Sequence, residues 1–125
     1  MAEKILSEKV RIWLEKDVIY VVFCEFVTID YILASQIVSY RMILQNGQTY
    51  PMICDLSSVK GITLKARRFL RREGLYGISA MIFIAPSPLA LVYYLQFMYE
   101  PPPFTVILLR SFQEVRSALY QLNQL

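Results

Sequence analysis

The sequence predicts an α/β fold, a mostly parallel five-stranded sheet with four helices in the order ββαβαβαβα, and three observations carry it. Residues 18–23, 50–54, 78–84 and 105–109 are short apolar runs rich in Val, Ile and aromatic residues, the composition of strands covered on both faces. Each is followed by a segment of helical length that opens on a capping residue. The 125-residue length suits a single domain, 1–125, able to bury roughly two thirds of its unfolded surface. Four consecutive βα units imply parallel strands joined by right-handed crossovers, with one antiparallel strand in front.

Residues 5–14 alternate polar and apolar from Glu8 onward, the period of a half-buried strand, and Glu15, Lys16 and Asp17 then make a turn into 18–23. Thr28 is the expected cap of a first helix, with Asp30 in its first turn and Asn46-Gly47 as its stop. Leu33, Ile37, Tyr40 and Leu44 recur along it at helical spacing. The strand at 50–54 ends at Asp55, and Thr63 caps a second helix that closes at Gly74, where positive φ is wanted. After the strand at 78–84, Ser87 caps a third helix with Pro88 at its first position, and Pro101, Pro102 and Pro103 lie beyond its end near Tyr99. Ser111 and Glu114 have capping-box spacing ahead of a fourth helix lined by Phe112, Val115, Ala118, Leu119 and Leu122.

Composition removes whole classes of function. With 18% charged and 14% aromatic residues the chain has ample material for a core, which excludes disorder. No charge occurs between Glu73 and Glu100, but Pro86 and Pro88 cut that stretch into a strand-sized and a helix-sized piece, each too short to span a bilayer. Charges at Glu3, Lys4, Glu8 and Lys9 argue against a signal peptide, so a cytoplasmic protein, not an integral membrane one, is expected. There is no His and only Cys24 and Cys54, so no zinc site, CxxC motif or Ser-His or Cys-His arrangement can be built. No catalytic residue, metal site or cofactor is expected, and the scattered acids show no carboxylate pair.

The sharpest local feature is the second helix. Lys65, Arg67, Arg68, Arg71 and Arg72 fall on one face at 100° per residue, opposite Ala66, Phe69 and Leu70. Without those five bases, eight would face ten acids, so the net charge of +3 is a property of one helix. The face can bind an acidic partner or an anionic headgroup, or it can simply be solvated and keep an apolar protein soluble. Nucleic acid is disfavoured, because no aromatic platform accompanies the charges.

Asp55, Leu56, Ser57, Ser58, Val59, Lys60, Gly61 and Ile62 then lead from a strand end towards that helix, where an anion could bind near Lys60 and Thr63. No P-loop and no GxGxxG accompany them, so nucleotide chemistry by those routes is unsupported. Asp55 is the best single functional acid, although a bond to the backbone of its own turn is the commoner explanation.

Those eight residues resemble the D-L-S-x-V segment of STAS domains, the SpoIIAA-like fold of bacterial anti-sigma-factor antagonists. In such antagonists a Ser at the following helix start is phosphorylated by a partner kinase. Here Thr63, Leu64, Lys65 and Ala66 follow, with Lys65 in the Ser position, so the resemblance implies that the usual phosphoswitch is absent. Ser57, Ser58 and Thr63 remain as hydroxyls. The chain is similar to small stand-alone STAS-like proteins in three further places: Tyr50, Pro51 and Asp55; Thr63, Ala66 and Arg67; and Ala80, Ser87, Pro88 and Leu89. The overall fold class is also similar to that of CRAL-TRIO lipid carriers.

The third helix has apolar residues all round, whereas a helix on a sheet needs one apolar stripe. Tyr93, Tyr94, Phe97, Met98 and Tyr99 are therefore expected at a protein interface, against a neighbouring helix, or around a greasy pocket. The sequence thus leads to a non-enzymatic STAS-like interaction or regulatory module, homodimeric or with a protein partner. A carrier or sensor of a small apolar or lipid ligand, bound between the third helix and the sheet, is the alternative. Retention on heparin that is absent or insensitive to salt would exclude a polyanion partner for the basic helix.

Overall fold

A computed structural model describes residues 2–6 and 8–123. In chain order its strands are β1 (Ala2–Leu6), β2 (Val10–Glu15), β3 (Val18–Phe23), β4 (Val27–Ile29), β5 (Tyr50–Asp55), β6 (Val59–Ile62), β7 (Ile78–Ile84) and β8 (Thr105–Leu109). The helices are α1 (Tyr31–Gln45), α2 (Leu64–Arg72), α3 (Pro88–Phe97) and α4 (Val115–Leu122). The main sheet runs β1-β2-β3-β5-β7-β8, with β1, β2 and β3 antiparallel and β3, β5, β7 and β8 parallel. All five expected strands are present, and four of them form the parallel part.

One expected strand is two. The period-2 pattern over residues 5–14 is broken by a turn at Glu8, whose φ is 59°, and β1 folds back on β2; Ser7, within that span, lies outside the described residues. Lys16 and Asp17 both have positive φ and connect β2 to β3, with Glu15 opposite Val18. That is the two-residue turn whose twist matches a hairpin.

Two short strands lie where the sequence pointed to a helix start and a loop. Val27–Ile29 and Val59–Ile62 pair in parallel as a separate ladder, so Thr28 is extended and cannot cap α1. Asp30 does so instead, its Oδ1 accepting the Leu33 N–H at 2.8 Å. Gly61 stands opposite Thr28, and a Cβ there would come within 3.2 Å of Thr28 Oγ1, so the close approach of the two strands uses the missing side chain. The remaining caps follow the sequence: Asn46 ends α1 at φ 46°, Thr63 and Ser87 cap α2 and α3, and Ser111 with Glu114 forms a capping box in a 3-10 turn before α4.

Strand order decides where the helices go. From β3 through β5 and β7 to β8 each strand is laid on the same side of its predecessor, so crossovers of one hand place α1, α2 and α3 on one face. Leu33, Ala34 and Ile37 of α1, Ala66 of α2 and Ala90 of α3 accordingly share one core with Val21, Met52, Met81 and Phe83. After β8 no strand remains to cross to, and α4 packs Val115 and Ala118 on the other face against Ile53, Ile82, Ile84 and Leu109. Phe112, expected on that face, is exposed, because it belongs to the 3-10 turn rather than to α4.

Among the described residues the one buried cation sits on α1. Arg41, 1% exposed, donates through Nη1 to Gln45 Oε1 (2.5 Å) and the Tyr76 carbonyl (2.9 Å), and through Nη2 to the Gly74 carbonyl (3.2 Å). Gln45 Nε2 in turn reaches the Gly77 and Gln48 carbonyls at 2.7 and 2.9 Å. Gly77, not Gly74, has the positive φ in this turn, at 75°, and a Cβ on it would lie 3.0 Å from Gln45 Nε2. Burial lowers the Arg41 pKa to about 10, so it stays charged at neutral pH with carbonyl dipoles as its partners. The pair fastens α1 to the turn between α2 and β7.

Removing Arg41 leaves three acceptors without their donor, two of them in buried bonds. Arg41→Ala is therefore expected to cost about 3 kcal/mol and lower Tm by roughly 10 °C, measurable by thermal denaturation. A Tm unchanged by the substitution would show that water replaces the guanidinium without loss.

Candidate functional site

The two informative helices lie side by side. Thr63 Oγ1 accepts the Ala66 N–H at 3.1 Å and starts α2. Ala66 is then buried, Phe69 and Leu70 are packed against the core, and the basic side chains are turned outward. They do not act alike. Lys65 Nζ lies 4.4 Å from the centre of the Tyr31 ring, which itself meets Phe69 edge-on. Arg71 reaches across to the end of α3, donating to the Phe97 and Glu100 carbonyls, with Nη2 3.5 Å from the Glu100 carboxylate. It thereby satisfies carbonyls at the α3 C-terminus that have no partner within the helix.

Between the helices runs an open groove of about 840 Å³, lined by Leu64, Arg67, Arg68, Arg71 and Arg72 on one side and Val92, Leu95, Gln96, Tyr99 and Glu100 on the other. Leu95 is 57% exposed and Tyr99 86%, and Leu64, Val92 and Leu89 are exposed as well. Among the described residues no carboxylate pairs with Arg67, Arg68 or Arg72.

The aromatic set singled out on α3 is divided by the fold. Tyr94 and Phe97 turn inward, 5.6 and 5.1 Å from the Phe83 ring, and Tyr93 donates from its hydroxyl to the Lys60 carbonyl at 2.5 Å. Met98 forms the C-cap, and only Tyr99 stands clear in solvent. Val92, Leu95 and Leu64 were missed because residue type, not angular position, guided the choice. At 100° per residue Val92, Leu95 and Tyr99 lie opposite Ala90, Tyr94 and Phe97, a signal already present in the spacing.

The segment before α2 is more closed than its sequence suggested. Asp55 is buried, and its Oδ1 accepts the Ser57 N–H at 2.9 Å, the bond to its own turn. The Ser58 carbonyl accepts the Val27 N–H, the Lys60 carbonyl holds Tyr93, and Thr63 is occupied as the cap. Ser57 and Lys60 are exposed. Residues 59–62 form β6 rather than a loop, so these groups are spread along a strand instead of converging on an anion.

Between the sheet and α1, α2 and α3 the core contains a partly open cavity of about 70 Å³, lined by Ile37, Met52, Leu70, Phe83, Tyr93 and Phe97 among others. Cys54 also faces it, and burial together with the Asp55 carboxylate pushes this thiol up to about 12. Both cysteines are free, and Cys24 is exposed. Among the described residues no group of His, Cys, Asp and Glu could hold a metal ion, and no helix is long and apolar enough to cross a membrane.

Comparison with known proteins agrees with this architecture. A family model described as a domain of unknown function, DUF7793, matches residues 12–125. No curated protein matches the chain. Among solved structures it is similar to an uncharacterized protein of the DUF3478 family with a SpoIIAA-like fold from Shewanella loihica PV-4, at 14% identity and a TM-score of 0.65, over 95% of this chain and 96% of that one. The fold is thus SpoIIAA-like, as the motifs at Asp55 to Ile62 implied.

The two thiols differ in environment, and alkylation reads the difference. At pH 8, well below its pKa of about 12, the Cys54 thiol is protonated, and it is only partly exposed. Iodoacetamide should modify Cys24 and spare Cys54 until the chain is unfolded, as followed by mass spectrometry. Equal labelling of both in the folded protein would show that the cavity beneath α3 opens readily.

Proposed function

The chain belongs to the DUF7793 family, and from that premise we propose that it is a single STAS-like domain acting as a non-enzymatic protein-interaction module through the α2–α3 face. One observation carries the reading: an apolar row, Leu64, Val92, Leu95 and Tyr99, left in solvent beside Arg67, Arg68 and Arg72, which have no carboxylate partner among the described residues. A face that served only solubility would not interleave exposed Leu, Val and Tyr with its charges, whereas Tyr and Arg are enriched where proteins dock. The residue expected to carry a phosphoswitch is Lys65, set over the Tyr31 ring, so regulation by phosphate at that position has no acceptor. The lack of His throughout the chain supports a non-catalytic role. Two free thiols, one of them exposed, suit the reducing interior of a bacterial cell.

A second copy is a possible partner, but a symmetric dimer on this face sets Arg67, Arg68 and Arg72 against their own equivalents, so a foreign protein fits better. The cavity beneath α3 favours a second reading, carriage of a small apolar ligand. Its 70 Å³ is about half the volume that accepts benzene in an engineered core, so a lipid would require α3 to lift. That motion breaks the bonds from Tyr93 to Lys60 and from Arg71 to Glu100.

Wild type should retain a protein from its native lysate that the folded variant Val92→Asp/Leu95→Asp loses, and should release no bound small molecule in native mass spectrometry. Identical capture profiles would sink the interaction reading, and a retained ligand mass would favour the carrier.

A further inference from the structure

We infer that the α2–α3 groove selects a short amphipathic segment of a partner protein in which carboxylates flank apolar side chains, an inference that rests on the interaction reading above. Charge is the first ground. Four arginines and one carboxylate line the groove, and that carboxylate, Glu100, is engaged by Arg71. Arg71 is therefore spent on closing the end of α3, while Arg67, Arg68 and Arg72 keep their positive charge facing the opening. Arg67 with Arg71, and Arg68 with Arg72, are like charges one turn apart, an arrangement that destabilises a helix on its own. The charges at Arg71 and Arg72 gain something from the helix C-terminus. Those at Arg67 and Arg68 lie in its middle, and no contact within the described fold offsets them.

Residue type is the second ground. The charged residues on the groove side of α2 are all Arg, and a planar guanidinium holds a carboxylate through two parallel hydrogen bonds where an ammonium offers a single point charge. Shape is the third. The α2 wall has nine helical residues, about 14 Å at 1.5 Å per residue, and faces a parallel row of Val92, Leu95 and Tyr99. An occupant of two to three helical turns with apolar residues at i, i+3 and i+4 and acids beside them meets both rows together. A flat anionic bilayer can touch the exposed guanidiniums but cannot fill a trough between two helices.

The probe is a fluorescein-labelled helical peptide of about three turns with Leu on one face and Glu on the others, compared with the same peptide carrying Lys for Glu. Fluorescence anisotropy with the full chain should show the Glu peptide binding and the Lys peptide not. Affinity should fall about tenfold or more between about 50 mM and about 300 mM salt. The variant Arg67→Glu/Arg68→Glu/Arg72→Glu, checked for fold by circular dichroism, should lose the Glu peptide by at least as much. Equal binding of both peptides, or none by either, overturns the acidic selectivity. Binding to phosphatidylglycerol vesicles in place of the Glu peptide overturns it in favour of a bilayer. In each of those cases the interaction reading stands if Val92→Asp/Leu95→Asp still abolishes partner capture, and falls with it if capture is unaffected.

Discussion

Right-handed crossovers repeated in strand order are the constraint on which the rest of this structure depends. Because β5, β7 and β8 are each added on the same side of the strand before, α1, α2 and α3 must lie on one face in sequence order. The groove is a direct result: α2 and α3 become neighbours by connection, and whatever their outer faces carry is brought together. The opposite face receives a single helix, α4, for the same reason. Nothing about the groove therefore requires special local geometry; two consecutive βα units with unusual outer faces are enough.

Within that arrangement, polar side chains fasten the helices where apolar contact alone would let them slide. Arg41 and Gln45 hold α1 to the carbonyls of the turn before β7, Arg71 holds α2 to the end of α3, and Tyr93 holds α3 to β6. Apart from Tyr93, whose acceptor lies within β6, each donor satisfies a carbonyl where a helix or turn ends, the positions at which backbone groups lack partners of their own. The same bonds divide the basic face: Arg71 becomes structural, and the arginines beside it remain available. A helix that reads as one uniform stripe of charge thus has two functions in the fold.

The family relationship and the site carry different kinds of information. The SpoIIAA-like fold sets the scaffold, and a fold hosts many activities. What the scaffold does not set is the chemistry on its surface: an arginine row next to an exposed apolar row. The proposed recognition by charge and apolar contact rests on that pairing.

Strand and helix identities were legible in the sequence because they depend on local periodicity and capping. The spans Val18–Phe23, Ile78–Ile84 and Thr105–Leu109, and the caps Thr63, Ser87 and Ser111, all follow from patterns a few residues long. The β4–β6 ladder was not, because neither three nor four residues make a strand until a distant segment pairs with them; that pairing displaced the α1 cap from Thr28 to Asp30. Likewise the sequence alone determined that one helix is basic and the next is apolar all round. Only the tertiary structure decided which arginine is consumed by the fold, and that Leu95 and Tyr99 face water while Tyr94 and Phe97 face Phe83. Composition belongs to a residue, whereas exposure and pairing belong to its neighbours in space.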